Sequence, residues 1–372
     1  MDATLLTRDS FWDEKKPVAI AAPGKRPPVL TKAPPLVFFQ TSGSMGKPRW
    51  VGLSRRALEY SAMMVNARLQ VDENSVWGLA LPLHHVGGMG VVARAHEAGC
   101  GLELFSQNWQ EHNFVGWVEN HKVTHTSLVP TQLHDIVLGG LRAPNCLKAV
   151  VVGGGQLNEE TGETARGLGW PILTSYGMTE AGSQIATQGM ECLRQFYSNA
   201  PIEKLAHWEW RIADNGCLAI KGEALFDGIL TKKEDEWVYQ QRESDWFVTN
   251  DRAELSDAGM TYLGRADLRV KVLGELVNLE QVEERLAFFS FHRIRRDSVV
   301  VLALPDARAG NKLVPVFDAT LGMNVVQDVM RTYRNQICGV ERLQEPVLLE
   351  DFPRTELGKP KRALIQNMVG AA

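Results

Sequence analysis

At 372 residues, with 44% hydrophobic and 23% charged side chains, the chain has an ordinary globular composition and the length for two domains with their own cores. A net charge of -4 and a pI near 6.2 argue against a general nucleic-acid binder, which needs a basic surface. The five cysteines, Cys100, Cys146, Cys192, Cys217 and Cys338, form no C-x-x-C pair and no metal-ligand spacing, so reduced thiols in a cytoplasm are expected.

Near the N-terminus Asp13, Glu14, Lys15 and Lys16 interrupt any signal-like order of basic and then apolar residues, so export is not expected. The apolar runs fall far short of the roughly 20 residues of a membrane span, so no membrane association is expected either. Residues 15–35, with Pro27-Pro28 and Pro34-Pro35, predict an extended lead-in, and the ordered fold is expected to begin near Leu36. Beyond it a strand at 36–39, a helix at 55–69, a strand at 75–81, a helix at 88–98 and a strand at 101–105 alternate, which predicts an α/β sandwich with largely parallel sheets. The apolar run 149–152 before Gly153-Gly154-Gly155 reads as a buried strand feeding a tight turn, and so does 171–174 before Tyr176. From Trp210 onward short alternating strands, such as 216–222 and 237–239, suggest a small antiparallel barrel or sheet. After Gly264 a hairpin at 270–279, a helix at 280–288, strands at 298–304 and 313–317 and a helix at 325–336 predict a compact α+β unit. The expected domains are therefore 1–266 and 267–372.

The segment from Phe39 to Arg49 carries the densest chemical signal. Thr41, Ser42 and Ser44 bring hydroxyls, Gly43 and Gly46 let backbone amides approach an anion, and Lys47 and Arg49 offset its charge. Only Ser44 and Met45 separate the two glycines, and Pro48 follows the lysine, so this is not a Walker A loop. Further along stand Gly153-Gly154-Gly155, Tyr176-Gly177-Met178-Thr179-Glu180, Asp251 after Val248-Thr249-Asn250, Gly264-Arg265-Ala266-Asp267, Gly274, and Pro353-Arg354-Thr355-Glu356-Leu357-Gly358-Lys359. In this order the segments resemble the motifs of the adenylate-forming superfamily, which comprises acyl-CoA synthetases, luciferases and peptide-synthetase adenylation domains.

The resemblance implies ATP, Mg²⁺ and coenzyme A as ligands and a small-molecule carboxylic acid as substrate. It implies that the loop from Thr41 to Lys47 holds phosphate, that Gly153, Gly154, Gly155, Tyr176 and Gly177 surround the nucleotide, and that Asp251 and Arg265 bind ribose. Lys359 would bridge the acyl carboxylate and the α-phosphate, Thr179 would donate to that phosphate, and Glu180 would hold Mg²⁺. Asp267 takes the hinge position about which the small mobile C-terminal domain rotates, and Gly274 borders the pantetheine tunnel. Without their motifs these residues have plainer readings: Lys359 is a solvated lysine beside Lys361 and Arg362, and Gly274 is a hairpin glycine. Met45 stands where the superfamily usually has threonine, Arg49 where it has lysine, and Asn250 where it has glycine. Its members also carry a longer stretch ahead of the phosphate loop, so the N-terminal domain is expected to be shortened, and a homodimer would cover the exposed face.

Within the superfamily, His84-His85-Val86-Gly87-Gly88, Arg94 and the run from Thr126 to Leu133 resemble the o-succinylbenzoate-CoA ligases of menaquinone biosynthesis. That likeness implies His85 as a catalytic residue and Arg94, Ser127 and Thr131 as substrate contacts. A buried arginine would pair bidentately with the second, aromatic carboxylate of the acid. The alternatives are another aryl- or acyl-CoA ligase, an adenylation enzyme that loads a carrier protein, and a nucleotide-binding protein without catalysis.

Overall fold

Hydrophobic strands that are buried along their whole length need cover on both faces, and the first half of the chain supplies it with strand–helix repeats. The computed structural model describes residues 3–41, 49–234, 236–290, 293–356 and 358–370. Six strands lie in the order Gly101–Leu104, Val76–Leu79, His125–Leu128, Ala149–Val152, Ile172–Met178 and Ser183–Thr187. All neighbouring pairs are parallel except the last, which turns back antiparallel. The strands His125–Leu128 and Ala149–Val152 are buried at every position. Helix Arg55–Leu69 starts where the Ser54 hydroxyl accepts from the Ala57 amide at 3.2 Å and stops at Gln70 in the left-handed conformation. It packs against helix Val86–Glu97, which lies on strand Val76–Leu79. Phe114, Trp117, Leu133, Ile136 and Trp170 belong to one apolar cluster with Val150 and Ile172 of the sheet.

The second sheet departs from expectation. Its order is Val18–Ile20, Val37–Thr41, Arg49–Leu53, Gly228–Lys233 and Glu236–Gln241, and only the first pair is parallel. Short connections enforce antiparallel pairing of Val37–Thr41 with Arg49–Leu53 and of Gly228–Lys233 with Glu236–Gln241, because a parallel crossover needs a dozen or more residues. The ordered fold also begins well before Leu36, contrary to the sequence reading. Helical turns at Ala3–Leu6 and Asp9–Trp12 precede the first strand, with Phe11 and Trp12 buried. The buried Arg55 fixes this segment by donating to the carbonyls of Phe11 at 2.6 Å, Pro35 at 3.1 Å and Lys16 at 3.2 Å. A four-stranded sheet of Trp208–Ile212, Cys217–Gly222, Phe247–Ser256 and Gly259–Arg265 matches the predicted change of texture after Trp210.

Two compact units emerge: Met1–Thr249 with Glu254–Thr261, and Asn250–Ala253 with Tyr262–Ala372. Asp267 lies inside the second unit, beyond the crossing at Tyr262. That unit contains the hairpin Arg269–Val272 and Glu275–Asn278, a three-stranded sheet of Val299–Asp306, Gly310–Asp318 and Val347–Leu349, and helices Leu279–Phe288, Met323–Gln336 and Arg362–Gly370. Its core joins Val277, Val282 and Leu286 to Val299, Phe317, Val329 and Tyr333. At its centre the fully buried Glu283 meets Arg362 at 2.5 Å and Arg296 at 2.6 Å, which ties the last helix to the core.

Candidate active site

In the first unit the strands Val37–Thr41 and Arg49–Leu53 pair so that Thr41 faces Arg49, one residue at each end of the phosphate-loop segment. Ser42, Gly43, Ser44, Gly46 and Lys47 lie outside the described residues. The Arg49 guanidinium donates to Glu180 at 2.5 Å and to the Thr41 hydroxyl at 3.4 Å. Glu180 is 8% exposed and sits in a single 3-10 turn, Thr179–Ala181, directly after strand Ile172–Met178. The chain can reverse so tightly because position 177 is glycine: a Cβ there would lie 1.7 Å from the Ser183 carbonyl oxygen. Tyr176 is half-buried just before Gly177, where the pairing with strand Ser183–Thr187 shifts register. Gly153 leaves the neighbouring strand with its amide on the Leu128 carbonyl at 3.2 Å, and Gly154 and Gly155 continue the turn. The structure thus gathers Thr41, Glu180 and Arg49, while Arg49 was read only as a charge in the loop. The 131-residue separation of Arg49 and Glu180 left no sequence signal for the pair.

A second cluster lies where helix Val86–Glu97 crosses the parallel sheet. His85 precedes the helix with its ring 4.4 Å from that of His84. Arg94, in the last turn, is 1% exposed and donates to the Ser127 hydroxyl at 3.1 Å. Its Nε has no hydrogen-bond partner, and no carboxylate pairs with it, among the described residues. Burial pushes its pKa down to about 9, which still leaves it cationic at neutral pH. The Trp77 ring centroid lies 5.1 Å from its guanidinium carbon, a contact absent from the sequence reading. Thr131 is half-buried in the first turn of helix Pro130–Leu138. Gln132 anchors that turn by accepting from the Val129 amide at 3.0 Å and donating to the Ala80 carbonyl at 3.2 Å.

The second unit brings together residues that the sequence scatters over more than a hundred positions. Arg265 lies 3.6 Å from Asp251 and grips both Asp267 oxygens at 2.8 Å. Its backbone amide donates to Glu280 at 2.8 Å, and the Tyr262 hydroxyl reaches the same carboxylate at 3.3 Å. The hydrogen bonds that Arg265 donates to the Asp267 carboxylate hold the guanidinium pKa above its ordinary value. Lys359 keeps an exposed surface, yet crowding by surrounding protein lowers its pKa against the attraction of Glu280 and Asp251, with Arg265 also lowering it. Its loop is built by mutual backbone and hydroxyl bonds between Thr355 and Lys359 at 2.7 and 3.1 Å. Arg354 braces the loop on the Asp297 carbonyl at 2.6 Å and the Asp318 carboxylate at 3.0 Å. Glu280 and Arg354 were not singled out from sequence, since charged residues in a helix start or tail carry no local signal.

Gly274 occupies the two-residue turn between strands Arg269–Val272 and Glu275–Asn278. Both turn residues have positive φ, 52° at Leu273 and 88° at Gly274, so the turn itself favours glycine. A Cβ at Gly274 would meet nothing within 4 Å.

The model of the AMP-binding enzyme family matches residues 2–229. The 2-succinylbenzoate--CoA ligase of Staphylococcus epidermidis is 26% identical over 336 residues, which span 88% of this chain and 68% of that protein. The enzyme of the same name from Escherichia coli K12 is 29% identical over 247 residues, 66% of this chain and 51% of its own. The o-succinylbenzoate CoA synthetase of Bacillus subtilis, solved with the acyl-adenylate intermediate OSB-AMP, superposes with a TM-score of 0.74 at 22% identity over 89% of this chain and 68% of its own. ATP-bound MatB from Rhodopseudomonas palustris gives a TM-score of 0.74 at 18% identity, covering 89% of this chain and 67% of its own. These structural likenesses establish the fold.

Proposed function

The chain belongs to the AMP-binding enzyme family, and from that premise we propose that it is an ATP-dependent acid-CoA ligase that acts through an acyl-adenylate, with o-succinylbenzoate as its acid. The observation that carries the choice of acid is Arg94, a buried cation without an acidic partner among the described residues. Such a group gains most from an anionic ligand, and a planar guanidinium matches a carboxylate. A monocarboxylic acid would spend its only carboxylate on the reaction; a dicarboxylic acid keeps one for Arg94. The relatives named 2-succinylbenzoate--CoA ligase support the same acid.

In the first half-reaction a carboxylate oxygen attacks the α-phosphorus of ATP and pyrophosphate departs with its bonding electrons. Both partners are anionic, so the protein must supply positive charge and orientation. Lys359 is the cation proposed to act on the α-phosphate, Thr179 donates a hydroxyl there, and Asp251 with Arg265 holds the ribose. Glu180, a buried carboxylate held against a cation, suits a hard metal ion, and Mg²⁺ bound there would neutralise phosphate charge. In the second half-reaction the thiolate of coenzyme A attacks the acyl carbon, and the bond to AMP breaks. The cytoplasm is the proposed compartment: the five cysteines are free thiols, and no described helix is long and apolar enough to cross a membrane.

A panel of carboxylic acids, scored by pyrophosphate release and then by AMP formation with and without coenzyme A, tests the proposal. We expect o-succinylbenzoate to give the highest kcat/KM and the Arg94→Ala variant to lose about 2 to 5 kcal/mol of that selectivity with little change in KM for ATP. Preference for a monocarboxylic acid would remove the o-succinylbenzoate assignment and leave the acid-CoA ligase. Activity only with a carrier protein would replace coenzyme A as acceptor.

A further inference from the structure

Arg94 is held in place without the acid that usually accompanies a buried guanidinium. An acidic partner would steady the side chain, but substrate would have to displace it before gaining any attraction. The face of an aromatic ring attracts a cation without cancelling its charge. Trp77 offers that face at 5.1 Å and is fully buried, and its indole nitrogen has no hydrogen-bond partner among the described residues. The ring is therefore placed by packing alone. It stands on an interior strand of the parallel sheet, where Trp77 pairs with Leu102 on one side and His125 on the other, and its ring meets the His125 ring at 5.4 Å. Gly90, one turn earlier on the same helix, lets the guanidinium lie close to the helix: a Cβ there would come within 3.1 Å of Arg94 Nη2. The surroundings thus hold the guanidinium by a ring and one hydroxyl, with no carboxylate on it among the described residues.

We propose that Trp77 is a positioning residue for acid selection: its aromatic face fixes the Arg94 cation in the empty enzyme and leaves the full charge for the second carboxylate of the substrate. The inference rests on the role given to Arg94 in the proposed function. Trp77→Leu should raise KM for o-succinylbenzoate about thirtyfold, the loss expected for one desolvated cation–aromatic contact, with KM for ATP unchanged. Trp77→Phe, which keeps a ring, should recover most of the affinity, and an analogue of the acid without its ring carboxylate should be insensitive to both variants. Equal impairment by leucine and phenylalanine, or equal loss with the analogue, would reduce Trp77 to a volume filler and overturn the proposal.

A second measurement does not depend on the acid. Urea midpoints of the free enzyme are compared for Trp77→Leu, Arg94→Met and the double variant, with Trp77→Phe in both backgrounds as the version least disturbing to the fold. The loss from changing Trp77 should be larger when Arg94 is present than when methionine replaces it. Additive losses overturn the positioning role whatever the substrate proves to be. Coupled losses together with no response to o-succinylbenzoate support the Trp77–Arg94 contact and overturn only the choice of acid.

Discussion

At the scale of single residues, the Arg49–Glu180 pair joins the phosphate-loop segment to the candidate metal ligand. Glu180 is nearly buried and Arg49 is about one-third exposed, so the carboxylate depends on this cation more than a surface acid would. Arg49→Gln should lower stability to urea by roughly 1 to 2 kcal/mol, because it leaves a desolvated carboxylate with a neutral partner. Adding Glu180→Gln to that variant should restore part of the loss by removing the stranded charge. If the single variant matches wild type, the ion pair contributes nothing to the fold. The arginine was visible in sequence, but its use as the internal counter-charge of Glu180 was not.

At the scale of elements, the interior strand His125–Leu128 carries an ionisable ring where the packing leaves no water. His125 is fully buried, and burial pushes its pKa down to about 4, helped by Lys148 and opposed by the Leu69 carbonyl and Asp72. The unfolded chain, with an ordinary value near 6.5, takes up this proton first as pH falls. Stability is therefore intact above about pH 6.5 and declines as pH drops toward 4, by up to about 3 kcal/mol for this residue alone. Replacing His125 with Val should flatten the dependence of urea stability on pH by about one proton over that window. An unchanged slope would assign the acid sensitivity to other groups, of which His207, also lowered to about 4, is the first to test.

At the scale of the whole molecule, the two half-reactions are proposed to need different groups, and Lys359 separates them. Lys359→Ala should abolish pyrophosphate release while the variant still converts pre-made acyl-adenylate to thioester. The loss of one cation at the α-phosphate is expected to slow adenylation by about 100-fold or more. Measuring the half-reactions separately decides the matter: an equal fall in both, with the fold intact by circular dichroism, would remove Lys359 from adenylation and assign its loop a structural role. The bracing of that loop by Arg354 supports the assignment.

Local chemistry alone determined a good part of this protein. Helix Arg55–Leu69 has the limits read from its apolar spacing, because the Ser54 cap and the left-handed Gln70 end it with forces that act within a turn. The runs that became Ala149–Val152 and Val299–Asp306 were legible because four or more consecutive apolar residues have few ways to be buried. The candidate nucleotide motifs were legible for the same reason: glycines, hydroxyls and charges at fixed spacing are a local pattern. Helices Glu111–Asn120, Pro130–Leu138 and Glu159–Gly167 escaped that reading, and polar content weakens the periodic signal of the first and third. Tertiary structure decided which strands pair antiparallel in the second sheet and that Arg55 would tie together Phe11, Lys16 and Pro35. It also decided that Arg49 would meet Glu180 and that Trp77 would lie under Arg94. Such contacts join residues far apart in the chain, and their energies exist only after the core has brought the groups out of water and into reach.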